Sequence, residues 1–174
     1  MAGAELTVLY SNEDGLPVPL AEAEIEAALA EVLVHEGVAR PCEVSVTIVG
    51  DDEIQGLNAY WRGVDAPTDV LSFPCDSPFD GDVPAGEPVE LGDLVLDPGV
   101  IARQAPRFGN DAAAEFRLML VHGALHLLGY DHVDEQGAAA MEAAELAVLR
   151  ALAAARGDDA GAVELGPMTR HADD

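Results

Sequence analysis

FRLMLVHGALHLLGYDH, residues 116–132, is the most apolar stretch of the chain, yet it contains three histidines. Its apolar side chains occupy nearly every side of a helix, which is the pattern of a buried helix. His122 and His126 are four residues apart, so they lie on the same helical face. Gly129 then ends the helix, and the turn that follows can bring His132 back toward the same point. The stretch therefore predicts a central buried helix with three imidazoles gathered near its C-terminal end.

A metal ion explains this arrangement of histidines. Two imidazoles on one buried face are unfavourable unless each ring nitrogen has a partner. Three neutral imidazoles that leave a fourth position open are typical of catalytic zinc. The alternative is three ordinary histidines satisfied by hydrogen bonds in the core and in the turn. We predict one Zn²⁺ per chain, with His122, His126 and His132 as its ligands.

Hydrophobic periodicity on either side of this stretch predicts the remaining elements. The predicted strands cover 5–10, 43–50, 69–73 and 91–97. The predicted helices run over 20–36, from Asp51 as N-cap through Trp61, from Asp97-Pro98 to about Gln104, from Asn110 or Asp111 to Leu128, and over 134–155. Residues 75–90 read as an exposed loop. The fold class expected is α+β: a single domain over 1–156, with a small mixed four-stranded sheet packed against about five helices, followed by a disordered acidic tail over 157–174.

The composition is strongly acidic, with 33 acidic residues against 8 basic ones and a net charge of −25. All basic residues are arginine, so any basic site must be built locally from arginine. Such a field repels nucleic acid at a distance, and a surface adapted to high salt explains it better than a functional acidic face. Cys42 and Cys75 are expected as thiols. With no signal peptide or membrane-spanning run in the sequence, we expect a cytoplasmic protein with no membrane partner.

A second group of chemical interest is YWRGVDAPTDVLSFP, residues 60–74. An arginine after two aromatic residues, followed by a proline-containing loop and a strand, can hold Arg62 and the hydroxyls of Thr68 and Ser72 at the wall of a site. Arginine suits bidentate binding of phosphate oxygens, so these residues beside a zinc ion favour phosphodiester chemistry. The alternative is an ordinary loop with Arg62 on the surface.

The histidine spacing H-x3-H-x2-G-x2-H also occurs in metzincin proteases, where the residue after the first histidine is a glutamate that acts as general base. Here that residue is Gly123, which can neither accept a proton nor polarise water. A zinc metalloprotease is therefore disfavoured, although metal-assisted hydrolysis of another electrophile remains open.

Three motifs in this order, YWRG with PTDVLSFP, LGDLVLD, and RLMLVHGALHLLGYDH, resemble the bacterial YbeY family of endoribonucleases, also called rRNA maturation factors. The likeness runs from about residue 5 to about residue 155. It implies a zinc-dependent endoribonuclease specific for single-stranded RNA. It also implies a role in rRNA maturation, notably at the 3′ end of small-subunit rRNA, and in ribosome quality control.

The resemblance implies residue roles as well. His122, His126 and His132 match the family's zinc ligands, and Arg62 matches the arginine regarded as catalytic. The implied partners are single-stranded RNA, rRNA and the small ribosomal subunit. Asp131 is a candidate for orienting the imidazole N–H of a ligand. A non-catalytic ribosome assembly factor with structural zinc is a further alternative, which three ligands rather than four argue against.

Overall fold

The computed structural model describes residues 5–165. The strands are β1 (Leu6–Ser11), β2 (Cys42–Ile48), β3 (Val70–Pro74) and β4 (Val89–Leu96). The helices are α1 (Glu22–His35), α2 (Asp51–Arg62), α3 (Pro98–Gln104), α4 (Ala112–Leu127) and α5 (Glu135–Ala155). Short 3₁₀ turns lie at Ala105–Phe108 and Ala160–Ala162. The predicted α+β class, with five helices and a four-stranded sheet, is confirmed.

The strands form one mixed sheet in the order β1-β2-β4-β3. β1 pairs with β2 and β2 with β4 in parallel, whereas β3 runs antiparallel to β4. The parallel pairs require crossover connections, and α1 and α2 lie in them. The antiparallel edge strand β3 brings the end of the 60–74 segment onto the sheet next to β4.

The two faces of the sheet are covered unequally. Alternating residues of β4 belong to different apolar clusters: Leu94 and Leu96 pack into the main core with α1, α4 and α5, and Val95 packs into a smaller cluster with Ile54 of α2. Since successive side chains of a strand point to opposite faces, α2 covers the face opposite α4. The buried helix α4 is therefore enclosed between the sheet and the helices α1, α3 and α5, as its apolar sequence predicts.

Most element boundaries agree with the sequence-based predictions to within two residues. Asp97 caps α3 as expected, since its Oδ1 accepts hydrogen bonds from the backbone N–H groups of Gly99 and Val100. Of the two alternatives for α4, Asp111 is the N-cap and accepts from Ala114 N at 2.8 Å. The prediction for α2 was wrong by one residue: Gly50 is the N-cap and Asp51 is the first helical residue. The carboxylate of Asp51 is bound by Arg103 of α3 at 2.7 Å.

Both cysteines are free thiols, as predicted. Of the segment predicted as a tail, residues 157–165 are described, and Val163 and Leu165 lie against the main core. Residues 166–174 lie outside the described part of the chain, so the prediction for the tail as a whole stays a prediction. Within residues 5–165 no helix combines the length and hydrophobicity that a membrane span requires.

Candidate metal centre and active-site cleft

Helix α4 holds the first two histidines rigidly. Its buried residues extend through most of its length, and His122 is only 1% exposed. His126 lies one turn further on the same face, as the i, i+4 spacing predicts, and the Nε2 atoms of the two rings are 3.0 Å apart. A buried helix cannot shift to separate the rings without disrupting its packing on every side.

The turn after α4 brings the third histidine to the same point. Gly129 has φ 104°, a conformation that other residues rarely adopt, and Tyr130 N donates back to Leu125 O at 3.0 Å to close the turn. The ring centroid of His132 then lies 5.5 Å from that of His122 and 5.0 Å from that of His126. One ring nitrogen from each histidine lies within 4.8 Å of the others. The structure therefore brings together the three residues predicted as metal ligands.

The outer nitrogens of the two helical histidines are held by hydrogen-bond acceptors. His126 Nδ1 lies 2.8 Å from the backbone carbonyl of Tyr130, which can only accept, so Nδ1 carries the proton. His122 Nδ1 lies 3.2 Å from a carboxylate oxygen of Glu145, and both side chains are 1% exposed. Such partners commonly fix the tautomer and orientation of metal-binding histidines.

These tautomers make the inner nitrogens suitable for a cation. With Nδ1 protonated in both rings, each neutral imidazole presents an Nε2 lone pair, and two lone pairs at 3.0 Å repel unless they share a proton or a metal ion. A tetrahedral ion with metal–nitrogen distances of about 2.0–2.1 Å would separate its ligand nitrogens by roughly 3.3 Å. The donor set, the tautomers and the spacing thus fit a metal ion held by His122, His126 and His132.

The histidines open onto a cleft of about 780 Å³. A second wall of the cleft is built by the end of α2 and by β3, and it includes Trp61, Arg62, Ser72 and Phe73. Arg62 is exposed at the last position of α2, where Gly63 terminates the helix with φ 73°. The arginine and the histidines, which are far apart in sequence, therefore line the same cleft.

The other residues singled out from the sequence lie in different surroundings. Ser72 lines the cleft, and its hydroxyl donates to the carbonyl of Gly123 at 3.1 Å. Thr68 lies outside the cleft wall, and its hydroxyl donates to Asp69 at 3.3 Å. Asp131 lines the cleft and accepts from the backbone N–H of Val133 at 3.3 Å. The outer partners seen on His122 and His126 are thus Glu145 and the Tyr130 carbonyl.

Gly123 has a structural reason for being glycine. A Cβ atom there would lie 2.9 Å from Leu94 Cδ2 and 3.1 Å from both Ser72 Oγ and Val70 Cγ2. Helix α4 thus crosses β3 and β4 so closely that a side chain at this position would require the Leu94 side chain and its neighbours to shift. The position that carries the general base in metzincins is therefore used here for packing.

Comparison with known proteins identifies the family. The family model described as "Endoribonuclease YbeY" matches residues 10–153. The chain belongs to the YbeY family. A YbeY relative from Halorhodospira halophila is 45% identical over 153 residues, covering 86% of this chain and 94% of that protein. One from Moorella thermoacetica is 49% identical over 119 residues, covering 66% of this chain and 75% of that protein.

A solution structure of a protein from Thermotoga maritima has a similar fold, with a TM-score of 0.56 and 25% sequence identity. It covers 93% of this chain and 99% of the other. The YbeY resemblance drawn from the sequence motifs is confirmed by the family match.

Glu145 is the site residue that the sequence analysis missed. It follows Met141 by four residues on the face of α5 that also buries Val148 and Leu152, so a carboxylate occupies a core position of an amphipathic helix. A buried carboxylate needs a hydrogen-bond partner, so a glutamate at a core position of the helix was the sequence signal that could have pointed to Glu145. The sequence could not say which partner, because His122 is 23 residues away on another helix.

Proposed function

We propose that this chain is a zinc-dependent endoribonuclease that cleaves single-stranded RNA. The observation that carries the proposal is the convergence of three imidazole nitrogens in a cleft whose other wall presents Arg62. The names of its relatives, "Endoribonuclease YbeY", agree with this activity. The open cleft beside the histidines favours a catalytic metal over a closed structural site.

The residues of the cleft have two roles: some bind the metal ion, and Arg62 binds the negatively charged phosphate of the substrate. When bound, zinc supplies a Lewis acid that activates water and polarises a phosphoryl oxygen. His122, His126 and His132 hold the ion, and Glu145 with the Tyr130 carbonyl keeps the first two rings oriented. Arg62 binds the non-bridging phosphate oxygens and stabilises the negative charge that grows on them in the transition state.

The cellular substrate we propose is rRNA, cleaved in the cytoplasm during maturation of the 3′ end of small-subunit rRNA and in ribosome quality control. The small ribosomal subunit is then the partner that presents the RNA. With a net charge of −25 the chain repels free RNA, so presentation by a partner would overcome a barrier to encounter. This role rests on the family resemblance and on the single-strand preference of the proposed activity.

The decisive experiment combines metal content with RNA cleavage. Purified protein should carry one zinc ion per chain, cleave a single-stranded RNA, and leave the matched duplex and a protein substrate such as casein intact. Chelation should stop cleavage and zinc should restore it. Intact RNA after zinc is restored to folded protein would contradict the proposal. Casein cleavage that disappears with His126→Ala would revive the protease alternative.

A second experiment tests the rRNA role. Small subunits that carry an unprocessed 3′ extension, and the same extension as naked RNA, are incubated with the zinc-loaded protein, and the new RNA ends are mapped. We expect a single discrete cut near the mature 3′ end on the subunit. Scattered cuts on both substrates would leave the nuclease but remove its role in 3′-end maturation.

A further inference from the structure

Two aromatic side chains form part of the second wall of the cleft, the one built by α2 and β3. Trp61, the only tryptophan in the chain, is 61% exposed, although a large apolar side chain usually gains from burial. Phe73 at the end of β3 lies 5.9 Å from it between ring centroids, with the ring planes at 65°. Both residues line the same cleft as Arg62 and the three histidines. The cleft therefore offers open aromatic surface directly beside the proposed reaction centre.

The fold holds the indole in place without covering it. Tyr60 meets Trp61 edge to face at 4.8 Å, and Phe73 meets it edge to face from the neighbouring strand. Phe73 is only partly buried and packs against the smaller core cluster that contains Ile54 and Leu71. An aromatic ring fixed in this way loses little conformational entropy when a flat ligand stacks on it.

The charge of the protein indicates what that ligand is. Proteins usually hold single-stranded nucleic acids with a cationic groove together with aromatic stacking. Here 33 acidic residues oppose 8 arginines and there is no lysine, so a general cationic groove is not available. Arg62 lines the same cleft as Trp61, so a guanidinium group suited to phosphate and a stacking surface border one space. A nucleotide presents the same pair of groups, a phosphate and a flat base.

We propose that Trp61 and Phe73 form a nucleobase-binding subsite in which one unpaired base stacks while Arg62 engages a neighbouring phosphate. The inference rests on the proposed nuclease function and adds the chemical group that the substrate must present. Bases within a duplex are already stacked on both sides and cannot enter. The subsite would thus give single-strand preference through stacking rather than through charge.

The single tryptophan allows a direct test. The zinc-loaded protein is titrated with a short 2′-O-methyl oligoadenylate, whose integrity is checked after each titration, and with an abasic oligonucleotide of the same length. Stacking on Trp61 should quench its emission in a saturable manner with the oligoadenylate and not with the abasic strand. Equal quenching by the two strands would overturn the proposal, because quenching would then not depend on a base.

Variants provide the second measurement, made by fluorescence anisotropy of labelled forms of the same two oligonucleotides. Trp61→Ala should weaken binding of the oligoadenylate by about 5- to 150-fold, the usual range for loss of one stacked base. It should leave binding of the abasic strand nearly unchanged. Trp61→Phe should retain most of the affinity. Phe79→Ala is the matched control, since Phe79 is another exposed aromatic residue, 55% exposed, that lies outside the cleft wall.

The outcomes distinguish this inference from the proposed function. If the wild-type protein cleaves RNA and Trp61→Ala binds the oligoadenylate as tightly as Phe79→Ala does, the subsite is wrong and the nuclease stands. If base-dependent quenching is observed and wild-type protein leaves RNA intact, the nuclease proposal fails and the base-binding surface stands. Loss of affinity for both strands in Trp61→Ala would assign Trp61 a structural role and overturn the stacking proposal.

Discussion

The two walls of the cleft are built in opposite ways. The histidine wall is buried: His122 and Glu145 are each 1% exposed, and the helix beneath them is enclosed by the main core. The second wall is exposed where α2 contributes to it, with Arg62 and Trp61 at the last turn of this surface helix. Metal binding requires ligands fixed to within a fraction of an ångström, whereas a polynucleotide must enter and leave. In the proposed function, the metal ligands therefore lie on and beside the buried helix α4, and the substrate contacts lie at the surface.

The largest effect should come from the histidine wall itself. Substituting His122, His126 or His132 by alanine should remove stoichiometric zinc and reduce RNA cleavage to the level of chelated protein, because two ligands cannot hold the ion. Metal analysis and cleavage rates measure both effects. His132→Ala is the most informative of the three variants, because the predicted position of His132 depends on the turn after α4 and not on helical spacing. If that variant keeps one zinc ion with unchanged affinity, His132 is not a ligand.

On the exposed wall, Arg62→Ala should lower RNA cleavage by about 10²- to 10³-fold, the usual loss for a donor aimed at developing charge. Zinc content and melting temperature should stay at wild-type values, because Arg62 is an exposed residue at a helix end. Arg62→Lys should restore only part of the rate, since an ammonium lacks the planar fork. Normal turnover in Arg62→Ala would remove the arginine from the mechanism.

Substituting Glu145 tests whether zinc affinity depends on the hydrogen bond between Glu145 and His122. Glu145→Gln should weaken zinc affinity by about 10- to 100-fold, because an amide is a poorer acceptor for the N–H of His122 than a carboxylate. The measurement is competition for zinc against a chromophoric chelator. Glu135→Gln, an exposed position at the start of the same helix, is the matched control. Equal zinc affinities in the two variants would reduce Glu145 to a packing residue.

The contact between α4 and the sheet, which joins the two walls, is tested at Gly123. Gly123→Ala should destabilise the fold by about 1–3 kcal/mol, because the new methyl group overlaps Leu94 and its neighbours. Gly56→Ala in α2 is the control: a Cβ there meets no atom within 4 Å, so alanine should stabilise by about 0.5–1 kcal/mol. Urea unfolding measures both. A Gly123→Ala protein as stable as Gly56→Ala would show that the close crossing tolerates a side chain.

The smallest expected effect is a pH-dependent change in stability at Asp97, which contacts Asp51 at the start of α2, the helix that ends with Arg62. Burial, and after it the hydrogen bond with the carboxyl group of Asp51, the first residue of α2, together raise the pKa of Asp97 to about 6. Because the folded-state pKa lies above the ordinary 3.8, the stability that this group contributes is present below about pH 4 and is lost as pH rises through about 6. At higher pH both carboxylates are charged and repel.

Asp97→Asn should remove this pH dependence. The amide oxygen can still cap α3, and the amide group can donate to Asp51 at every pH. The variant should therefore be more stable than wild type by about 1 kcal/mol near pH 8, with the difference shrinking toward about pH 5. Urea unfolding at the two pH values measures it. A stability difference that does not change with pH would contradict the assignment.

The sequence by itself determined the elements and the histidine motif predicted to bind a metal ion. Alternation identified the strands, Asp97-Pro98 and the pair Asn110-Asp111 marked the starts of helices, and the i, i+4 histidines followed by Gly129 predicted the cluster of three histidines. These signals are local, because helical geometry and turn chemistry depend on residues a few positions apart. The family resemblance added Arg62 to the predicted site. No local sequence signal determines its position in the cleft.

Only the tertiary structure decided which distant groups meet. It placed Glu145 on His122, used Gly123 to bring α4 close to the sheet, and turned Trp61 and Phe73 toward the cleft while leaving Thr68 outside it. Each of these contacts joins separate elements, so it depends on how helices pack on the sheet and not on neighbouring residues. Packing is set by the summed fit of many side chains, and for that reason the residues that orient the three histidines were not apparent from the histidine motif itself.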